Sequence, residues 1–201
     1  MKKRTQSPRH YYEFEVSLFG VQPRPWRCFL IRPNATFAEL HAAIQAASGW
    51  EESHLYGFYP ARVNADPPIA GVPLEGPFGE LDGDPIPDAR GVRVDSWFGY
   101  PGDHCRYAYD FGDGWICGVD FTGFVQTEES FTRRLVAGAE VFPPEDCGGV
   151  GGYEALLEAM AGVGEPEEVE GLREWASEME WSPVLDLEQL RARFDRPKRR
   201  K

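Results

Sequence analysis

The sequence predicts an α+β fold: a β-grasp-like (ubiquitin-like) N-terminal half, extended by a β-hairpin and C-terminal helices, with a mixed sheet and helices packed on it. Three stretches point there. "YYEFEVSLFG" alternates apolar and polar residues with the period of a half-buried strand. "NATFAELHAAIQAASGW" carries its own start and stop signals for a helix. "HCRYAYDF" and "WICGVDFTGFV" are alternating runs around a Gly-Asp-Gly turn, the pattern of a hairpin.

Taken in order, Tyr12, Phe14, Val16 and Leu18 share one face of the first strand, opposite Glu13, Glu15 and Ser17. "VQPRP" turns the chain, and Trp26 to Ile31 reads as the hairpin partner. Thr36 and Glu39 have the spacing of a capping box, Phe37, Leu40, Ile44 and Ala47 form an apolar stripe, and Gly49 offers a left-handed stop. "SHLYGFYP" is a third short strand. Strand, strand, helix, strand suggests the β-grasp order, because the stripe and the strand faces can bury only each other.

Residues 60–92 are rich in Pro, Gly and Asp and lack periodicity, so a long surface excursion is expected there, either a lid or an inert insertion. In the hairpin that follows, Cys105, Tyr107, Tyr109 and Phe111 are expected on one face, with Phe111 and Trp115 closing the turn and Asp110 and Asp113 at its tight end. "PPEDCGG" reads as an irregular turn before a helix from about Tyr153. Two more helices are expected near 166–179 and 186–194, the last with Asp186 and Gln189 at cap positions and Leu187, Leu190 and Phe194 as its stripe. This is one domain over 11–195, between basic tails at 1–10 and 196–201.

The charge distribution excludes several functions. The 201 residues carry a net charge of −12, yet residues 11–190 hold 10 of the 21 basic and 32 of the 33 acidic side chains, a net of −22. Such a body repels phosphates, so nucleic acid could be engaged through the basic tails only. All four lysines (Lys2, Lys3, Lys198, Lys201) lie in those tails. The triplet Asp110-Phe111-Gly112 therefore does not mark a kinase, which needs a lysine on a core strand. A P-loop and a Schiff-base enzyme fail on the same ground, and no nucleotide cofactor is expected. The four cysteines (Cys28, Cys105, Cys117, Cys147) form no C-x-x-C pair. No secretory signal or membrane span is read, so a cytoplasmic protein with no membrane partner is expected.

"PWRCFLIRPNATFAELHAAIQAASGWEESHLYGF", "YAYDFGDGW" and "PPEDCGGVGGYEALLE" occur in that order. Together they resemble the plasmid pRiA4b ORF-3-like family, and "WSPVLDLEQLRARF" resembles its terminal segment. The resemblance spans roughly 11–195 and implies a setting on plasmids, beside transposable elements or in ordinary chromosomes. It supplies no mechanism. The chain departs from the family at Tyr56, Cys117 and Phe142, where members commonly carry His, His and Cys.

The candidate functional cluster is His41, His54, Asp110, Asp113, Glu145, Asp146 and Cys147, with His54, Asp110, Cys117 and Asp146 as candidate metal ligands. Carboxylates suit magnesium or manganese, whereas imidazole and thiolate suit zinc. The bland alternatives are a core-edge role for His41 and turn-amide bonding for Asp110 and Asp113. Cys147, near a helix start, is a candidate thiolate that its acidic neighbours would oppose. Two functions follow. The first is a non-catalytic interaction or accessory module with a protein partner. The alternative is a metal-dependent hydrolase acting on a phosphoester, with Asp110 and Asp146 as ligands and His54 as general base. Both reading and alternative turn on whether the hairpin turn and the Pro-Glu-Asp-Cys turn meet in space.

Overall fold

A computed structural model describes residues 8–60, 67–73 and 86–195. Both expected tails beyond residues 8 and 195, and 61–66 and 74–85 of the expected excursion, lie outside the described residues. Among the described residues, seven strands form one sheet: β1 (Arg9–Leu18), β2 (Trp26–Ile31), β3 (Tyr56–Tyr59), β4 (Ala70–Gly71), β5 (His104–Tyr109), β6 (Trp115–Thr127) and β7 (Arg133–Ala139). Four α-helices among the same residues accompany them: α1 (Phe37–Ser48), α2 (Gly149–Ala161), α3 (Pro166–Glu178) and α4 (Leu187–Phe194). The fold is α+β. The spatial order is β4-β3-β5-β6-β1-β2-β7.

Every pairing between these strands is antiparallel, so the expected mixed sheet is corrected. Among the described residues the one parallel contact is an isolated bridge between Gly71 and Asp88. The reason lies in the connections: β5 and β6 are joined by a tight turn, and β6 runs back along β1 for its whole length.

The period-2 pattern of β1 holds. Tyr12, Phe14, Val16 and Leu18 enter the core with Phe29 and Ile31 of β2 and Val119 and Phe121 of β6. Phe37, Leu40 and Ile44 of α1 meet them there, and Tyr153 of α2 and Phe194 of α4 complete the layer. The Thr36 hydroxyl accepts from Glu39 N at 3.2 Å and the Glu39 carboxylate accepts from Thr36 N at 2.9 Å. Thr36→Ala removes one partner of this reciprocal cap, and an expected loss of about 1 kcal/mol is checked by urea denaturation.

The part of the 60–92 excursion that is described is tied to the core, which corrects its reading as surface throughout. Ala70 and Ala89 are buried, Ile69 and Val92 pack against the core, and α1 begins on this segment through Phe37 N to Val92 O and Ala38 N to Ala89 O. Backbone hydrogen bonds and small side chains anchor it, so no apolar period announces it. No helix among the described residues is long and apolar enough to cross a membrane.

The hairpin turn also differs from expectation. β5 stops at Tyr109, which pairs with Trp115. Asp110 adopts φ 51°, which breaks the alternation and turns Phe111 out to 50% exposure instead of onto the core face. An Asp tolerates this left-handed region because its carboxylate bonds local amides. Here Asp110 Oδ1 accepts from Gly112 N at 3.0 Å and Asp110 O accepts from Gly114 N at 2.6 Å.

Candidate functional site

The two remote turns meet. Gly148 N donates to Asp113 Oδ2 at 3.2 Å, so the hairpin turn and the turn before α2 are joined directly. The space between them is small: a Cβ on Gly149 would sit 2.7 Å from Asp113 O.

His54 is brought to this junction by its neighbours. Asp110 N donates to Leu55 O at 3.0 Å, Ser53 N donates to Tyr109 Oη at 3.1 Å, and Trp50 Nε1 donates to Pro143 O at 2.9 Å. Tyr109 also donates a short hydrogen bond to Glu145, whose other oxygen lies 3.4 Å from Ser53 Oγ. Segments 50–55, 109–114 and 143–149 are thus fastened at several points, and His54 lies between them.

Its Nε2 is 3.0 Å from Asp146 Oδ1 and 3.6 Å from Asp110 Oδ2. That nitrogen is nonetheless a buried atom with no hydrogen-bond partner, Asp110 lying too far away for one. The ligand atoms of His54, Asp110 and Asp146 all fall within 4.8 Å of one another. Around a divalent ion with bonds of about 2.1 Å, neighbouring ligand atoms stand about 3.0 Å apart in an octahedron and about 3.4 Å in a tetrahedron. The 3.0 Å separation from Asp146 equals the octahedral edge, and the 3.6 Å separation from Asp110 is longer than either edge and would have to shorten around an ion. Asp146, whose side chain is 66% exposed, has the freedom to close the third.

The remaining candidates fall elsewhere. His41 is a core histidine: its Nδ1 is 2.7 Å from Tyr107 Oη, and its ring stacks on Tyr56 at 3.5 Å. Gln45 Nε2 donates to the same hydroxyl, which leaves the phenolic proton for His41 Nδ1. His41 faces the sheet through α1 and is removed from the cluster. Cys117 is fully buried on the core face of β6, where burial pushes its thiol well above the ordinary range. It is no partner of the triad. Cys147 is half-buried and pushed up to about 12, first by burial and then by the Asp113 charge, so it is a thiol at neutral pH and not an activated nucleophile. Asp113 and Glu145 hold the turns rather than face His54. Tyr109 and Ser53, which fasten the site from behind, are not foreseen from the sequence. The one signal present is that Tyr109 directly precedes Asp110.

An antiparallel α+β scaffold with an imidazole and two carboxylates converging where three loops meet is the class defined by fold and geometry. The chain belongs to the plasmid pRiA4b ORF-3-like family, which it matches over residues 10–189. It is 32% identical over 183 residues to the uncharacterized protein y4hQ of Sinorhizobium fredii (strain NBRC 101917 / NGR234), covering 90% of this chain and 89% of that protein. The crystal structure of MM3350, a protein of unknown function from Methanosarcina mazei Go1, is similar with a TM-score of 0.73 and 29% identity. That likeness covers 90% of this chain and 97% of MM3350.

Proposed function

We propose that the protein binds a divalent cation through His54 Nε2, Asp110 and Asp146, and that the ion serves metal-assisted hydrolysis. The observation that carries this reading is the unpartnered, buried Nε2 of His54 held 3.0 and 3.6 Å from two carboxylate oxygens. A buried imidazole nitrogen lacking a hydrogen bond is costly, and a cation between it and the carboxylates removes that cost. Three protein ligands leave positions for water, the arrangement of catalytic rather than structural sites. Ligation through Nε2 would take His54 out of the general-base role, and an ion held there would supply a water of lowered pKa as nucleophile. One imidazole and two carboxylates without thiolate suit manganese or zinc. A phosphoester is the proposed substrate class, its oxygen polarised by the ion.

The test is metal-stripped protein titrated with manganese or zinc, followed by calorimetry and thermal melting. At a hundredfold excess over Kd the stabilisation expected is about 2.7 kcal/mol, and D110N/D146N removes it. No bound ion and no shift with either metal would end the metal reading. Metal binding without turnover of bis(p-nitrophenyl) phosphate would leave the centre standing and end the phosphoesterase reading.

The interaction-module reading is favoured by a different observation: Tyr100 and Phe124 are 78% and 53% exposed, and Trp97 reaches the surface nearby in sequence. The grasp-like reading of the first half belongs at the same level. The β1–β2 hairpin, α1 and β3 support it, while the antiparallel β1–β6 pairing departs from it.

A further inference from the structure

The residues placed as cation ligands share a positional rule along the chain. His54 follows Ser53, Asp110 follows Tyr109, and Asp146 follows Glu145. Those three preceding residues are bonded to one another. Ser53 N donates to Tyr109 Oη at 3.1 Å, Tyr109 Oη donates to Glu145, and Ser53 Oγ lies 3.4 Å from the other Glu145 oxygen. A second constellation therefore stands directly behind the first, one residue back on each of the same three segments.

Tyr109 is its hub. It is 1% exposed at the end of β5, where it pairs with Tyr56 of β3 and Trp115 of β6. Its ring stacks on Trp50 at 4.9 Å and meets the His54 ring edge-on at 5.8 Å. A phenol has one proton to give and lone pairs to accept with. Here it accepts from Ser53 N and gives its proton to Glu145. Glu145 is 8% exposed and, among the described residues, is held by these hydroxyls and by no cation. Hydrogen bonds to a carboxylate are shorter and stronger than neutral ones, so the hub ties the peptide before His54 stiffly to the peptide before Asp146.

The use of such a tie follows from what a centre of this kind requires. Ligands on separate segments have to be held within about 0.5 Å of a working geometry, and freedom left to them is lost when an ion binds. Asp146 has the most to lose, with a side chain 66% exposed on a left-handed turn. Its stretch of chain is fixed by Glu145 on one side and by Gly148 N to Asp113 Oδ2 on the other. We propose, resting on the cation site argued above, that Tyr109 and Glu145 are its positioning residues. Neither supplies a ligand atom. Their hydrogen bond, together with Ser53, sets the spacing of His54, Asp110 and Asp146 before an ion arrives.

Tyr109→Phe removes one oxygen and keeps every ring contact. Calorimetric titration of the full chain with manganese should show its Kd raised roughly ten- to hundredfold, the loss typical of removing a group that orients ligands. The electron paramagnetic resonance spectrum of the bound manganese should broaden as the ligands take several arrangements. Thr36→Ala, which loosens the cap at the far end of α1, is the control for stability alone and should keep the wild-type Kd. Glu145→Ala should reproduce the loss, and Glu145→Gln, whose amide oxygen still accepts from Tyr109, should restore most of the affinity. If Tyr109→Phe fails to fold, the two Glu145 variants carry the test. A Tyr109→Phe Kd equal to that of the wild type, an equal loss in Thr36→Ala, or equal losses in the two Glu145 variants overturns the positioning role and leaves the cation site standing. A wild-type protein that binds neither manganese nor zinc removes the site and this role together.

Discussion

Gly152→Ala is expected to destabilise the protein by about 3 kcal/mol, the upper end for overpacking, whereas Gly151→Ala, one residue earlier, should stabilise it by about 0.5–1 kcal/mol. Both glycines lie in the first turns of α2. A Cβ on Gly152 would fall 1.7 Å from Cys147 O, a backbone atom with no rotamer to yield. A Cβ on Gly151 meets nothing within 4 Å, so alanine there only removes freedom from the unfolded chain. The displaced Cys147 peptide follows directly on Asp146. On the proposed cation site, Gly152→Ala should therefore also weaken manganese or zinc binding, and Gly151→Ala should leave it unchanged. Urea midpoints and metal titrations of the two variants check this. Equal stability of the pair would mean that the turn does not approach the helix as described.

The same glycines show why part of this fold is legible in sequence and part is not. α1 announces itself because its signals are local: Thr36, Glu39 and Gly49 act within one turn of where they stand. β1 and β2 are equally plain, since alternation records a buried face directly. α2 begins at Gly149, four residues before the expected Tyr153, because glycines that look like helix breakers are there for close approach to Cys147 and Asp113. β7 is not foreseen: Leu135 is its one buried apolar residue, so an edge strand of arginines and small residues shows no period.

The site was legible as residue types and not as a constellation. Asp110 and Asp146 stand in turns rich in glycine, and His54 lies just before a strand, but their meeting depends on β3 pairing with β5 rather than with its sequence neighbour β2. That choice follows from long-range packing, which no short window contains. The inclusion of His41 and Cys117 errs for the complementary reason. A helix flank and a strand face look alike in sequence whether they abut a cleft or the core, and both residues abut the core. Asp110 and Asp146 share one further property, φ values of 51° and 60°. With Glu52 at 65°, they place three non-glycine residues in the left-handed region at one junction, a backbone geometry that no sequence window shows.

Alkali is expected to unfold the protein through three buried groups that hold their protons in the fold. Cys105, Cys117 and Tyr107 are fully buried on the core face of β5 and β6. Desolvation raises the thiols from an ordinary 9.0 and the phenol from 10.0, and it outweighs the opposing hydrogen bond from Gln45 to Tyr107. The folded state thus holds these protons more tightly than the unfolded chain does. Their contribution is complete below the unfolded values and declines as pH rises past them, by about 1.4 kcal/mol per pH unit for each group. Three such losses are large against the whole stability of an ordinary domain, about 5–15 kcal/mol, and Arg27, whose pKa burial lowers to about 10, gives back part of the loss above that pH. Urea denaturation under reducing conditions, between about pH 8 and pH 11, should show the fall begin near pH 9. Cys117→Ala removes one titrating group, so its stability, lower at neutral pH because a core atom is lost, should decline less steeply by about 1.4 kcal/mol per unit. Identical slopes for the two proteins would show that Cys117 is hydrated in the folded state, and a flat profile would remove all three groups from the core.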